Sequence, residues 1–319
     1  MSSGSAAKDW FFCTAASFVL FVLGVMAPAM MTMPLMLVYP FPMIFLTFAR
    51  GVRVGAFSCV TVAVAVFVGF HSTALAVVCF VAWGIPGVLL GFVAGRVKGA
   101  EALLLGIACS LAGKLAAMAL MWAATGVNMM APDTAEMERA VTTAWMPMLE
   151  SLSGGEAAKA KEGLSRIVDY LVTIIPSVVI IFSSAEVLLS YSLASKFFAR
   201  RGNAELFRLP PFGAWSFPKN IIVALVVGFI CEKIGNRYEG MGVLRQVGAN
   251  LGALTWTLFA VQGLAVLYFF MGRFGFPKIA RVVIIVLAPL VPVMGGILSI
   301  LGIADIGIDL RKRVGRKKP

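Results

Sequence analysis

The chain has 319 residues, 60% of them hydrophobic, with a mean hydropathy of +0.95. Only 13% are charged, yet the formal net charge is +12, from 27 Lys+Arg against 15 Asp+Glu. A soluble globular enzyme and a disordered chain are both excluded, because neither would offer water so little polar surface.

Apolar runs of about 18 residues or more have the length to cross a bilayer as helices. In chain order the candidate spans cover 10–31, 34–49, 54–70, 73–95, 102–125, 170–197, 218–231, 250–272 and 279–303. The expected fold is an all-α, polytopic membrane bundle of eight or nine transmembrane segments. The first run lacks a small-residue cleavage site and reads as a retained span. Pro28, Pro34, Pro40 and Pro42 interrupt the first two runs, so that hairpin is expected to be kinked or partly re-entrant.

Basic residues give the orientation. Arg50 and Arg53 follow span two, Arg96 and Lys98 span four, Lys196, Arg200, Arg201 and Arg208 span six, and Arg273, Lys278 and Arg281 span eight. All fall on one side if each intervening segment crosses. The opposite loop, 126–168, carries six acids against four bases. This places the N-terminus and the loops that follow the even-numbered spans in the cytoplasm. The tail residues Arg311, Lys312, Arg313, Arg316, Lys317 and Lys318 belong on the same side only if the crossing number is even. A last segment turned back at Pro289, Pro292 and Gly295-Gly296 would achieve that; so would one span fewer in the Pro-rich 28–49 region. The expected partners are the bilayer itself and anionic lipids at the cytoplasmic face. No nucleic acid is expected, because the basic residues are divided among short loops and a tail.

The 126–168 loop has helix-start spacing at Asp133 and Glu136. Met137, Val141, Trp145, Met148, Leu149 and Leu152 then share one face until Gly154-Gly155. It reads either as an interfacial helix resting on the membrane or as a lid over an outward-facing cavity.

Gly87, Gly91, Gly95 and Gly99 recur every four residues along span four, a ridge that lets a neighbouring helix approach closely. A weaker small-residue stripe, Ala112/Ala116 and Gly113/Ala117, lies on span five. Cys13, Cys59, Cys79, Cys109 and Cys231 are scattered through apolar segments without a C-x-x-C pair, as buried thiols would be. With His71 the single histidine, no metal site is expected.

Two charges fall deep inside spans, where ionised groups are costly. Lys114 stands near the centre of span five, ~17 Å from its outer end, and Glu186 near the centre of span six, ~24 Å from its outer end. They form either a structural ion pair or a polar pocket in which Lys114 meets an anionic group and Glu186 a cation or proton. Trp122 and Asn128, at the outer end of span five, are candidate cavity residues. Asn250 and Gln262 in span eight are expected to hydrogen-bond between helices.

Signatures for P-loop, metalloprotease and serine-hydrolase chemistry are missing, and no span holds a paired-acid motif. The chain reads as a non-enzyme without a cofactor. Any energised transport would draw on an ion gradient or another subunit.

One resemblance is carried by particular residues. They are Pro40-Phe-Pro42 ahead of Arg50-Gly51; Leu209-Pro-Pro-Phe212-Gly-Ala-Trp215-Ser-Phe-Pro218; Asn250 ahead of Gln262-Gly263-Leu264-Ala265; and Gly302 with Asp305, Asp309 and Arg311. In these the chain resembles the YybS family of bacterial multi-span membrane proteins. That family is similar to the substrate-binding S components of energy-coupling factor transporters. The resemblance implies an S-component-like six-helix core over residues 1–200, followed by further C-terminal spans and a basic tail over 201–319. It also implies a small-molecule solute and an energy-coupling or other membrane-protein partner. A scaffold or regulatory partner with no solute pocket is the alternative.

Overall fold

Where water is absent, each backbone N–H and C=O must be satisfied within its own segment, so long apolar runs fold as helices. The computed structural model describes all residues except 1–2, 28, 95, 98, 154–156, 200–208 and 317–319, and among the described residues it contains helices and no strands. In chain order these are α1 (Ser3–Met26), α2 (Ala29–Val38), α3 (Pro40–Arg50), α4 (Val52–Phe70), α5 (Thr73–Val78) and α6 (Ile85–Ala94). They continue as α7 (Gly99–Thr125), α8 (Thr134–Ser153), α9 (Ala157–Thr173), α10 (Ile175–Ala199), α11 (Asn220–Arg237) and α12 (Gly242–Arg273). The last three are α13 (Lys278–Leu287), α14 (Pro292–Ile308) and α15 (Leu310–Arg316). A π-helical segment, Cys79–Gly84, joins α5 to α6 without a break in the rod.

Among the described residues, six helices are long and apolar enough to cross a membrane: Ala6–Met26, Val52–Phe70, Thr73–Ala94, Gly99–Thr125, Ile175–Phe198 and Gly242–Arg273. The other three expected spans are shorter or interrupted. The second is the short apolar stretch Pro34–Arg50. The seventh becomes α11, whose last two turns carry Glu232, Lys233 and Arg237. The ninth breaks at Ala288–Leu290 into α13 and α14, where Pro289 and Pro292 interrupt the hydrogen-bond ladder. The turn between α3 and α4 rests on Gly51 at φ 93°, a conformation without a side-chain penalty only for glycine. His71 ends α4 in a left-handed conformation, and Ser72 caps α5 by accepting the Leu75 amide at 3.3 Å.

Contacts divide the chain into two compact units: Met1–Pro132 with Val178–Leu209, and Asp133–Ser177 with Pro210–Pro319. The segment 133–177, which takes in most of the 126–168 loop expected to belong to the N-terminal core, therefore groups with the C-terminal helices. The reason is polar. Asn250 of α12 donates to the Thr173 carbonyl at 2.8 Å, and its Oδ1 accepts from the Ser177 amide (2.9 Å) and hydroxyl (2.7 Å). Asp133 starts α8 by accepting the Ala135 amide at 2.9 Å. Met137 and Val141 lie on α8; Gly154 and Gly155, expected to break it, lie outside the described residues, as do the side chains of Trp145, Met148, Leu149 and Leu152.

In the first unit, two apolar clusters form the core. One gathers Ile44, Leu46, Leu90, Ala102, Val187 and Tyr191; the other Phe21, Tyr39, Met43, Cys59, Val62 and Val66. Polar cross-links tie their helices. Thr14 and Ser58 hydroxyls share a 2.7 Å bond, Ser190 donates to the Leu37 carbonyl at 3.0 Å, and Asp9 pairs with Arg50 at 2.6 Å. The Ser190 bond satisfies one of the carbonyls left open at the end of α2.

Gly87 and Gly91 of α6 face α3. A Cβ on Gly87 would stand 2.9 Å from Met43 Cβ, and one on Gly91 2.8 Å from the Ile44 carbonyl oxygen. The expected ridge of four ends there. Gly95 lies outside the described residues, and Gly99 opens the next helix, α7, at φ 53°, so it is a helix start and not a packing residue of span four. The fourfold spacing ran on past the end of the helix.

In the second unit α12 is the central rod, and glycines again set the distances. Gly248 lies against the Glu232 backbone of α11, and Gly235 against Arg245. Gly263 lies against the Leu298 backbone of α14, and Gly302 against the Phe259 carbonyl of α12. Gly91→Ala and Gly302→Ala should each lower stability by about 1–3 kcal/mol, because the backbone opposite cannot give way as a side-chain tip can. Gly163→Ala, where nothing stands within 4 Å, should raise stability by roughly 0.5–1 kcal/mol. Thermal unfolding of the three purified variants in detergent checks the ordering.

Candidate functional site

Lys114 and Glu186 meet. Lys114 sits on α7 one turn beyond Ser110, and Glu186 on α10 one turn beyond Phe182, so both helices present a polar group next to a partner on the same face. The Lys114 ammonium forms an ion pair with Glu186 Oε2 and donates to the Ser110 hydroxyl at 2.7 Å. Ser110 in turn donates to the same carboxylate oxygen at 3.2 Å. All three residues are buried, Ser110 and Glu186 at 0% exposure. In an apolar interior a charge is tolerable only when paired and hydrogen-bonded, and this triad supplies both.

The pairing is incomplete on one side. Glu186 Oε1 is buried with no hydrogen-bond partner, and so is the indole Nε1 of Trp83. Trp83 projects from the π-helical segment, and its ring centroid lies 5.8 Å from the Lys114 nitrogen; the Phe182 ring lies at 5.5 Å. At these distances both rings contribute cation–π attraction to the ammonium. Phe21, Tyr39 and Trp83 make three edge-to-face contacts at 6.0–6.4 Å, and the Tyr39 hydroxyl bonds Cys79 Sγ at 3.2 Å.

Phe21, Trp83 and Phe182 line a cavity of about 360 Å³ whose wall also includes Gly24, Met36, Leu75 and Val78. It has the size of a small-molecule site and the composition such sites favour, apolar walls with a few polar groups close by. Trp122 and Asn128 are not part of it. Trp122 is exposed two turns beyond Lys114, and Asn128 Oδ1 accepts the Met130 amide in a local turn. Depth along α7 placed them near the outer end, but the cavity lies on the π-segment side. Ser110 and Trp83 were the members that sequence reasoning missed. A serine four residues before a buried lysine is the signal that could have found the first.

Gln262 belongs to a second buried polar group. Its amide nitrogen donates to Asp305 Oδ2 of α14 at 2.6 Å, and its oxygen accepts the Phe217 amide at 3.1 Å. Arg311 of α15 clasps the same carboxylate through Nε and Nη2 at 2.8–3.3 Å and donates to the Gly213 carbonyl at 2.7 Å. Among the described residues no group of three or more His, Cys, Asp or Glu side chains could hold a metal ion.

Removing one member of the Lys114–Glu186 pair leaves a buried charge unpaired. Lys114→Met and Glu186→Leu should each cost about 3–5 kcal/mol, whereas the double variant should recover most of that loss. A double-mutant cycle of unfolding midpoints in detergent checks it.

Comparison with known proteins agrees with the helical, apolar character of the chain. A Bacillus subtilis (strain 168) protein described as "Uncharacterized protein YybS" is 24% identical over 285 residues, covering 88% of this chain and 89% of that one. No solved structure matches significantly. The family described as "Predicted membrane protein (DUF2232)" matches residues 15–306, nearly the whole helical assembly, and the chain belongs to this family of membrane proteins.

Proposed function

We propose that the protein binds a small solute in the first unit, at the cavity beside Lys114, as an S-component-like transporter subunit of the bacterial inner membrane. The observation that supports this is the coincidence of a cavity with unspent hydrogen-bonding capacity. Trp83 Nε1 offers a donor and Glu186 Oε1 an acceptor, and neither atom has a hydrogen-bond partner. Burying such groups without partners costs stability, and a solute carrying an acceptor and a donor would satisfy both. Lys114 supplies the positive charge that favours an anionic or zwitterionic solute.

The protein acts on this reading as a binder and not as an enzyme, and a separate membrane partner supplies any energy. Both termini face the cytoplasm, with α13 and α14 forming a broken last segment that restores an even number of crossings. One observation favours a second reading. The direct contact between Lys114 and Glu186 is what a membrane scaffold without a solute pocket would use to lock two helices together.

A thermal-shift screen of metabolites separates the two. At a concentration of about 100 times its dissociation constant, a solute adds about 2.7 kcal/mol, a rise of several degrees. The rise should appear in the wild type and vanish in Lys114→Ala and in Val78→Trp, whose indole would fill the cavity that Val78 lines. If nothing stabilises the wild type, or if the same solutes stabilise Lys114→Ala equally, the scaffold reading stands.

A further inference from the structure

A second cavity, of about 800 Å³, opens in the second unit where the ends of α12, α13 and α14 converge, and its wall includes Tyr268, Arg273, Arg281, Asp309, Arg311 and Lys312. Four of the lining residues are cations and two, Asp305 and Asp309, are acids, so the wall carries a net positive charge. Arg311 is committed, since Asp305 and the Gly213 carbonyl hold its guanidinium. Lys312 reaches Asp309 only at 3.5 Å and is 78% exposed.

Arg281 is different. Its guanidinium lies over the Tyr268 ring, 4.9 Å from the centroid, and its Nε is buried with no hydrogen-bond partner. Its side chain makes no hydrogen bond or ion pair within the described residues. Gly272 leaves it room, for a Cβ there would stand 2.7 Å from Arg281 Nη1. The arginine is thus held in place by an aromatic face while its donors remain unused. A guanidinium fork matches the oxygens of a phosphate.

The surroundings indicate where that phosphate comes from. On α13, Ile279, Val282, Val283 and Val286 are all exposed, at 80%, 49%, 47% and 60%. Phe274 and Phe276, just ahead of the helix, are exposed as well, so the helix that carries Arg281 into the basic cavity also presents an apolar face. A cationic pocket at the mouth of an apolar helix face fits a molecule with an anionic head and hydrocarbon tails. We infer that this cavity is a binding site for the phosphate headgroup of an anionic phospholipid, seated on Arg281 with Lys312 beside it, its acyl chains lying along α13. The inference is independent of the solute cavity of the first unit.

The test uses the full-length protein delipidated in detergent, with melting followed on addition of phosphatidylglycerol, phosphatidylcholine or glycerol phosphate. Phosphatidylglycerol should raise the melting point of the wild type by several degrees, and the other two should fall well short of it. Arg281→Met, which keeps a long apolar stem against Tyr268, should abolish the difference between the two lipids. Should that variant fail to fold, Lys312→Ala, altered at an exposed side chain, carries the test: its apparent affinity for phosphatidylglycerol should fall about fivefold. Equal stabilisation by both lipids, unchanged affinity in the variants, or full stabilisation by glycerol phosphate alone would each overturn the assignment. The last would mark a soluble phosphorylated ligand.

Discussion

Helices in a bilayer gain nothing from hiding apolar side chains from one another, because lipid is as apolar as leucine; what holds them is the closeness with which they can pack. The two units depend on that closeness at a handful of positions. Gly87 and Gly91 let α6 lie against α3. Gly263 and Gly302 bring α12 and α14 together backbone to backbone. Each contact sets the register of its pair, and the register in turn decides which polar groups meet. Gln262 reaches Asp305 because the neighbouring glycines leave no side chain between α12 and α14.

Polar groups then convert closeness into specificity. Neither unit relies on one kind of bond. In the first, a lysine, a glutamate and a serine share a single carboxylate oxygen. In the second, an asparagine ties α12 to the ends of α9 and α10, and an aspartate gathers a glutamine and an arginine. The first group leaves one oxygen of its acid without a partner, and the second fills its acid completely. That contrast separates an acid with acceptor capacity to spare, Glu186, from one wholly engaged in holding helices together, Asp305.

The sequence made the helices legible, since uncharged runs of membrane length have few other folds. It also made Lys114 and Glu186 stand out, because a charge inside such a run is conspicuous. What it concealed is azimuth. Trp122 shares a helix with Lys114, but position along a helix says little about which neighbour a side chain meets, and the cavity lies elsewhere. Trp83 went unnoticed because an aromatic in an apolar run is unremarkable until a π-helical segment turns it toward a cation. The glycine spacing misled in the opposite sense. Four glycines in step imply one ridge only while the helix lasts, and α6 ends at Ala94. Conversely, Gly263 and Gly302 lie in different segments, where no periodicity within a single run could pair them. The grouping of 133–177 with the C-terminal helices was hidden for a similar reason: it rests on Asn250, more than seventy residues away.

The clasp between Arg311 and Asp305 has a consequence for the order in which the second unit forms during synthesis. The acid precedes its partner by six residues, so during synthesis the carboxylate emerges first and must wait. Until Arg311 follows, α14 carries an uncompensated charge that opposes its burial. The seating of α14 in the second unit therefore waits on Arg311, and a chain halted between the two residues would leave Asp305 with a charge to bury and no arginine to meet it.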